Sequence, residues 1–117
     1  MDEWGGEKGI NREKLEFCLA HPSQTFGSNE VYRTIEEKYA VLVHDIVTLH
    51  PFTDGNKRSG YYFGRVFLLT NGYDLESSEK ESYEFFLALA DGQLSYEQVL
   101  EWAIEHIFER IGPSGLT

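Results

Sequence analysis

The sequence predicts an all-α fold, a compact bundle of about five helices with one short β-hairpin. Three observations predict it. Apolar residues recur at steps of three and four along most of the chain, and the alternating β-branched runs that strands need are few. Helix starts are marked by Asn11 and by two capping-box pairs, Ser78 with Glu81 and Ser95 with Gln98. At 117 residues with 41% hydrophobic side chains, the chain has the size of one compact unit that buries its own core. A single domain over residues 1–117 is expected, since no repeat, linker or low-complexity segment divides it.

Asn11 caps a first helix running to about Ala20, with Leu15, Cys18 and Leu19 on one face, and Pro22 helps to stop it. The polar connector from Ser23 to Arg33 holds Gly27, Ser28 and Asn29 together, so its flanks, Thr25-Phe26 and Val31-Tyr32, are expected to pair as a hairpin. The second helix spans about Thr34 to Thr48. Ile35, Tyr39, Leu42, Ile46 and Leu49 form its stripe, and the flanking Val41 and Val43 predict that it lies deep, with neighbours on more than one side. Pro51 disfavours the α conformation at the preceding residue, which places His50 at the exit of this helix.

A third helix starts near Asn56 and closes at Asn71-Gly72, a pair suited to the left-handed conformation after a helix end. Tyr62, Phe63, Val66, Phe67 and Leu69 are its expected core face. Gly60 and Gly64, each costing roughly 1 kcal/mol of helix propensity, leave a flat strip that another helix or a ligand can approach closely. The fourth helix reaches about Ala90, and the fifth runs from Tyr96 to Arg110 with Trp102 turned to the core. Gly112-Pro113-Ser114-Gly115 reads as a frayed tail.

Acidic side chains number 20 against 10 basic ones, a formal charge of −10 at pH 7. Such a surface repels a phosphate backbone and an anionic bilayer, so neither a nucleic acid nor a membrane is an expected partner. No stretch approaches membrane-spanning length. The start, Met1-Asp2-Glu3-Trp4, lacks a basic n-region and an apolar run, and the lone Cys18 sits in apolar surroundings as a structural thiol. Both fit a cytoplasmic protein. The charge is uneven: Asp74 to Glu109 holds ten acids and one base, whereas Pro51 to Tyr73 holds Asp54 against Lys57, Arg58 and Arg65. That local inversion suits an anion, or it balances acidic neighbours.

Between the second and third helices lies His50-Pro51-Phe52-Thr53-Asp54-Gly55-Asn56-Lys57-Arg58. Gly55 lets the backbone wrap, and N–H groups opening the third helix point outward, so this end suits an anion. Asn56 adds an amide donor, and Lys57 and Arg58 add charge. A carboxylate beside phosphate needs a cation between them. Asp54 therefore suits Mg²⁺, which one carboxylate holds when a nucleotide and water supply the other oxygens. The imidazole of His50 can take a proton from an attacking hydroxyl. Each element alone is ordinary turn chemistry. A P-loop is excluded, because Tyr61-Tyr62 stand where Lys and Ser/Thr are required.

The nonapeptide HPFTDGNKR resembles the signature of the Fic/Doc family, HPFx[D/E]GN[G/K]R, leaving only Thr53 unspecified. Gly5-Gly6 to Pro22 is similar to that family's entry and Asn71-Gly72-Tyr73 to its close, so the resemblance covers nearly the full chain. It implies a helical fold holding ATP. His50 would be the general base and Asp54 the Mg²⁺ ligand. Gly55, Asn56 and Lys57 would line the anion hole, and Arg58 would pair with the phosphates. Pro51 and a buried Phe52 would be structural. The family's flap, which docks the target chain as an added strand, would be Gln24, Thr25, Phe26, Gly27, Ser28, Asn29, Glu30 and Val31.

Most Fic members have glycine where Lys57 stands and transfer AMP. Lys57 resembles the Doc (death-on-curing) toxin branch, whose archetype phosphorylates a translation elongation factor. Its bulk and charge would lie where the β- and γ-phosphates otherwise run, turning the γ-phosphate toward His50. The resemblance thus implies phosphoryl transfer from Mg-ATP to a Ser/Thr hydroxyl of a target protein. AMP transfer by the same residues and a non-catalytic binding module of this fold stand as alternatives. Only four residues precede Gly5, where family members often carry a helix, so a shortened member or a fragment is expected. The inhibitory S/T-x-x-x-E-[G/N] helix is not found, since Ser77 to Glu81 has the spacing but Ser82 follows. A separate antitoxin would inhibit instead, and the acidic stretch from Asp74 to Glu109 suits a basic protein partner.

Overall fold

The computed structural model of the chain describes residues 9–52 and 55–110. Trp4, Gly5-Gly6, Thr53, Asp54 and the Gly112 to Gly115 tail lie outside the described residues. Among those described, five α-helices and two small antiparallel pairings follow in order: α1 (Arg12–Ala20), β1 (Thr25–Phe26), β2 (Asn29–Glu30), α2 (Ile35–Leu49), α3 (Asn56–Thr70), β3 (Tyr73–Leu75), α4 (Glu79–Ala90), α5 (Tyr96–His106) and β4 (Ile107–Glu109). α1 ends at Ala20, and a 3-10 turn over His21–Ser23, which contains Pro22, follows it. No helix among the described residues is long and apolar enough to cross a membrane.

Side chains start four of the five helices. Asn11, Thr34, Ser78 and Ser95 each accept a backbone N–H from the first turn, and the last three complete capping boxes with Glu37, Glu81 and Gln98. Helix α2 is the axis of the bundle and touches the other four helices. Its Tyr39, Ala40, Val41, Leu42, Val43, Ile46 and Val47 are all buried, as its nearly continuous apolar surface requires.

Helix α3 buries a different face from the expected one. Its buried positions are Gly60, Gly64 and Leu68, while Tyr62, Val66 and Leu69 are exposed and Phe63 and Phe67 are half-buried. A Cβ on Gly60 would lie 2.7 Å from Val47 Cγ2, and one on Gly64 would lie 2.6 Å from Val43 Cγ1. The glycine strip is therefore where α2 seats itself, and the close helix contact outweighs the apolar count on the opposite side. Leu19 on α1 is likewise exposed, leaving Cys18 as that helix's fully buried residue. Cys18 packs with Leu42 and Ile46. Burial, and secondarily the charge of Asp45, pushes its thiol up to about 11, as befits an inert core cysteine.

The pairings depart from the expected boundaries. Thr25 faces Glu30 and Phe26 faces Asn29, so the second strand is Asn29–Glu30 rather than Val31-Tyr32. Gly27, at φ +64°, allows a tight two-residue turn that draws the partner strand closer in sequence. The fifth helix stops at His106 instead of Arg110, because Ile107 turns extended and Ile107–Glu109 pairs with Tyr73–Leu75. That partner is remote in the chain and invisible to helical periodicity. Trp102 stacks on Phe85, with centroids 3.9 Å apart, and packs against the core as expected.

Arg65 on α3 grips Asp74 on β3 with two prongs, Nε to Oδ1 at 2.9 Å and Nη2 to Oδ2 at 3.1 Å. These hydrogen bonds hold the Asp74 carboxyl below its usual range, and they raise the guanidinium. The lowered carboxyl contributes stability that is present above its unfolded pKa, about 3.9, and is lost as pH falls through the folded value. Asp74→Asn should therefore destabilise the protein near neutrality and flatten the acid limb of its stability curve below about pH 4. Urea midpoints at pH 3 to 7 test this, and an unchanged acid limb sinks it.

Candidate functional site

The turn between α2 and α3 is built by backbone geometry first. His50 ends α2 at φ 55°, ψ 60°, a left-handed conformation held by no other non-glycine residue among those described. It carries strain of about 1 kcal/mol. Pro51 is fully buried, and its carbonyl accepts Asn11 N–H at 2.6 Å. Phe52 forms an isolated antiparallel bridge with Ile10 and stacks on Phe63 at 6.2 Å. It is half-buried, so the anchoring is shared between the closed-in Pro51 and the Phe52 ring. Ile10, Asn11 and α3 together hold the motif in place.

Asn56 organises the turn from within. Its Oδ1 accepts Phe52 N–H at 3.1 Å, while its Nδ2 donates to Phe52 carbonyl oxygen at 2.8 Å and to His50 Nδ1 at 3.3 Å. Both amide donors are thus engaged within the motif. With Asn56 donating, a neutral His50 carries its proton on Nε2 and keeps its lone pair on Nδ1. Gly55 precedes α3 at φ +77°, and an added Cβ there would meet Arg58 Nη2 at 3.0 Å. Conformation favours glycine there, while the close neighbour is only the tip of the exposed Arg58 side chain, which can swing aside.

A cleft of about 750 Å³ opens beside this turn, within the usual range of small-molecule sites. His50, Gly55, Asn56, Lys57 and Arg58 line one side. Lys57 and Arg58 are exposed and line the opening. Arg65, counted among the local cations in the sequence, is committed to Asp74 and does not line the cleft. Asp54 lies outside the described residues.

The opposite side was not foreseen from the sequence. Ser77, Glu79, Ser82, Tyr83 and Phe86, at and within α4, line it, while Tyr61 adds a ring from α3. Ser77 and Ser82 join hydroxyls at 2.6 Å. The capping box at Ser78 marked a helix start, but nothing local indicated that α4 would face position 50. Only the packing of α4 on α2 and α3 brings the two segments together. Residues 24 to 31 do not line the cleft. Their hairpin stands at the surface, with the Phe26 side chain 83% exposed.

The arrangement pairs a cationic helix start and an imidazole with an aromatic and hydroxyl-bearing wall. It can receive a ligand with an anionic end and a flat polar end, and it holds a proton acceptor at the anionic end. A sequence model described as the Fic/DOC family matches residues 1–68, more than half of the chain. The match includes the whole turn and most of α3, and it ends before Asn71-Gly72-Tyr73, short of the nearly full coverage the sequence suggested. Comparison with curated proteins gives no match.

Proposed function

The chain belongs to the Fic/Doc family, whose members are typically transferases, and from that premise we propose that it is a Doc-type phosphotransferase acting on a protein hydroxyl. The observation that carries this reading is the cleft itself. His50, Lys57 and Arg58 line it together with three aromatic rings, Tyr61 on α3 and Tyr83 and Phe86 on α4. ATP has the matching chemistry, with a polyanionic tail for the cations and a flat base for the aromatic wall.

In the proposed reaction a Ser or Thr hydroxyl of the target attacks the γ-phosphorus. The new oxygen–phosphorus bond forms as the bond to the β-phosphate oxygen breaks, ADP leaves with that electron pair, and the hydroxyl proton passes to the His50 Nδ1 lone pair once the 3.3 Å bond from Asn56 Nδ2 is released. Lys57 and Arg58 stabilise the charge on the phosphates. Lys57, in place of the glycine of AMP-transferring members, favours the γ-phosphate as the group transferred. Asp54 would hold Mg²⁺. The nucleotide's phosphate oxygens and water would complete the ion's shell. Bound there, it would offset phosphate charge.

A target chain would meet the hairpin over residues 24–31, whose short strands leave backbone groups for an added strand. A translation factor is the proposed class of target, a separate basic antitoxin segment the proposed inhibitor, and the cytoplasm the proposed site of action. Incubating the chain with a cell lysate, Mg²⁺ and either γ- or α-labelled ATP tests the reaction. Protein labelling from the γ-position alone is expected. Labelling from the α-position would establish AMP transfer instead, and no label from either would leave a binding module.

A further inference from the structure

The hairpin has only two residues in each strand, all of them exposed, and so isolated a ribbon has little stability of its own. The structure holds it from beneath. Lys38, on the first turns of α2, donates to Pro22 carbonyl oxygen at 3.3 Å, to Tyr32 carbonyl oxygen at 2.5 Å and to the Glu30 carboxylate. Its three donors meet acceptors before, within and after the hairpin. A second line runs through a nearly buried carboxylate. Asp45, 8% exposed, accepts from His21 Nδ1 at 2.6 Å, and His21 Nε2 meets the Tyr32 hydroxyl at 3.2 Å. A carboxylate on Nδ1 fixes that proton, so Nε2 of the neutral ring accepts from Tyr32.

Both lines end on α2, the helix whose exit is His50. At 1.5 Å per residue, Asp45 lies about 7.5 Å and Lys38 about 18 Å along the axis from His50. The hairpin and the base are thereby fixed to one rigid element although they share no cleft wall. We propose that Lys38, Tyr32, His21 and Asp45 are positioning residues that set the hairpin's height and angle relative to His50, and so present the protein substrate and not the nucleotide. This rests on the transferase reading, in which the hairpin receives the target chain.

Tyr32→Phe and Lys38→Met in the full chain test it, with three readouts. Amide exchange of residues 24–31 should speed about tenfold while α3 is unchanged. Affinity for ATP should stay within twofold of the parent. The rate of label transfer from ATP, followed against lysate concentration, should need severalfold more lysate for half-saturation yet reach the same ceiling. Unchanged exchange in the hairpin overturns the proposal, and so does a lower ceiling at unchanged half-saturation. If the parent transfers no label, the transferase reading fails on its own. The exchange readout then still decides whether these residues hold the hairpin.

Discussion

His50→Ala should lower label transfer from ATP by about a thousandfold, the loss typical of removing a general base, while leaving the fold intact. His50 is exposed, and its ring accepts from Asn56 Nδ2 at 3.3 Å. Its backbone is the informative part. The left-handed conformation at φ 55° costs a residue with a Cβ about 1 kcal/mol, a cost glycine does not bear. His50→Gly should therefore be as inactive as His50→Ala and yet more stable than the parent by about 1 kcal/mol. Strain kept at a position where a side chain does chemistry is expected only if the side chain is needed there. Initial rates and urea midpoints of both variants check this. Transfer that persists in either one removes His50 from the reaction.

Gly64→Ala should lower stability by about 2 kcal/mol, even though alanine improves helix propensity by about 1 kcal/mol. The new methyl would lie 2.6 Å from Val43 Cγ1 and 2.7 Å from Tyr39 Cε1. Both neighbours are fully buried and have no room to retreat, because packed interiors do not yield like a liquid. Helix α3 must then move off α2. The thermal midpoint should fall by about 8 °C for a domain of this size. Gly60→Ala meets Val47 Cγ2 at 2.7 Å and should behave alike, and the double variant should lose less than the sum, since one displacement of α3 relieves both contacts. Circular dichroism melts decide it, and a midpoint at or above the parent's means that the helices are not in register at these glycines.

Movement of α3 would also separate the two sides of the cleft, since Gly60 lies one turn from Lys57 on the same helix. A destabilised Gly60→Ala protein should therefore bind ATP more weakly in proportion to its displaced α3. His50→Ala should keep its nucleotide affinity.

Local chemistry carried much of this molecule into view from its residues alone. Asn11, Ser78 and Ser95 announce their helix starts through short-range hydrogen bonds to the following turn, and these bonds need no other part of the chain. The left-handed glycine at position 55 and the proline after His50 mark the turn, and the HPFTDGNKR motif named its family. The departures have one physical origin. The buried face of α3, the end of α5 at His106, the commitment of Arg65 to Asp74 and the far wall of the cleft all depend on contacts between segments distant in sequence. Apolar periodicity counts side chains and cannot register that a row of missing side chains, Gly60 and Gly64, is what α2 packs against. Nor can a motif say what stands across from it. The sequence by itself determined the helices, the turn and the family, because those follow from neighbours within about one turn. Only the tertiary structure decided that α4 closes the cleft and that α2 carries both His50 and the anchors of the hairpin, because packing is settled by shape between segments that do not meet until the chain has folded.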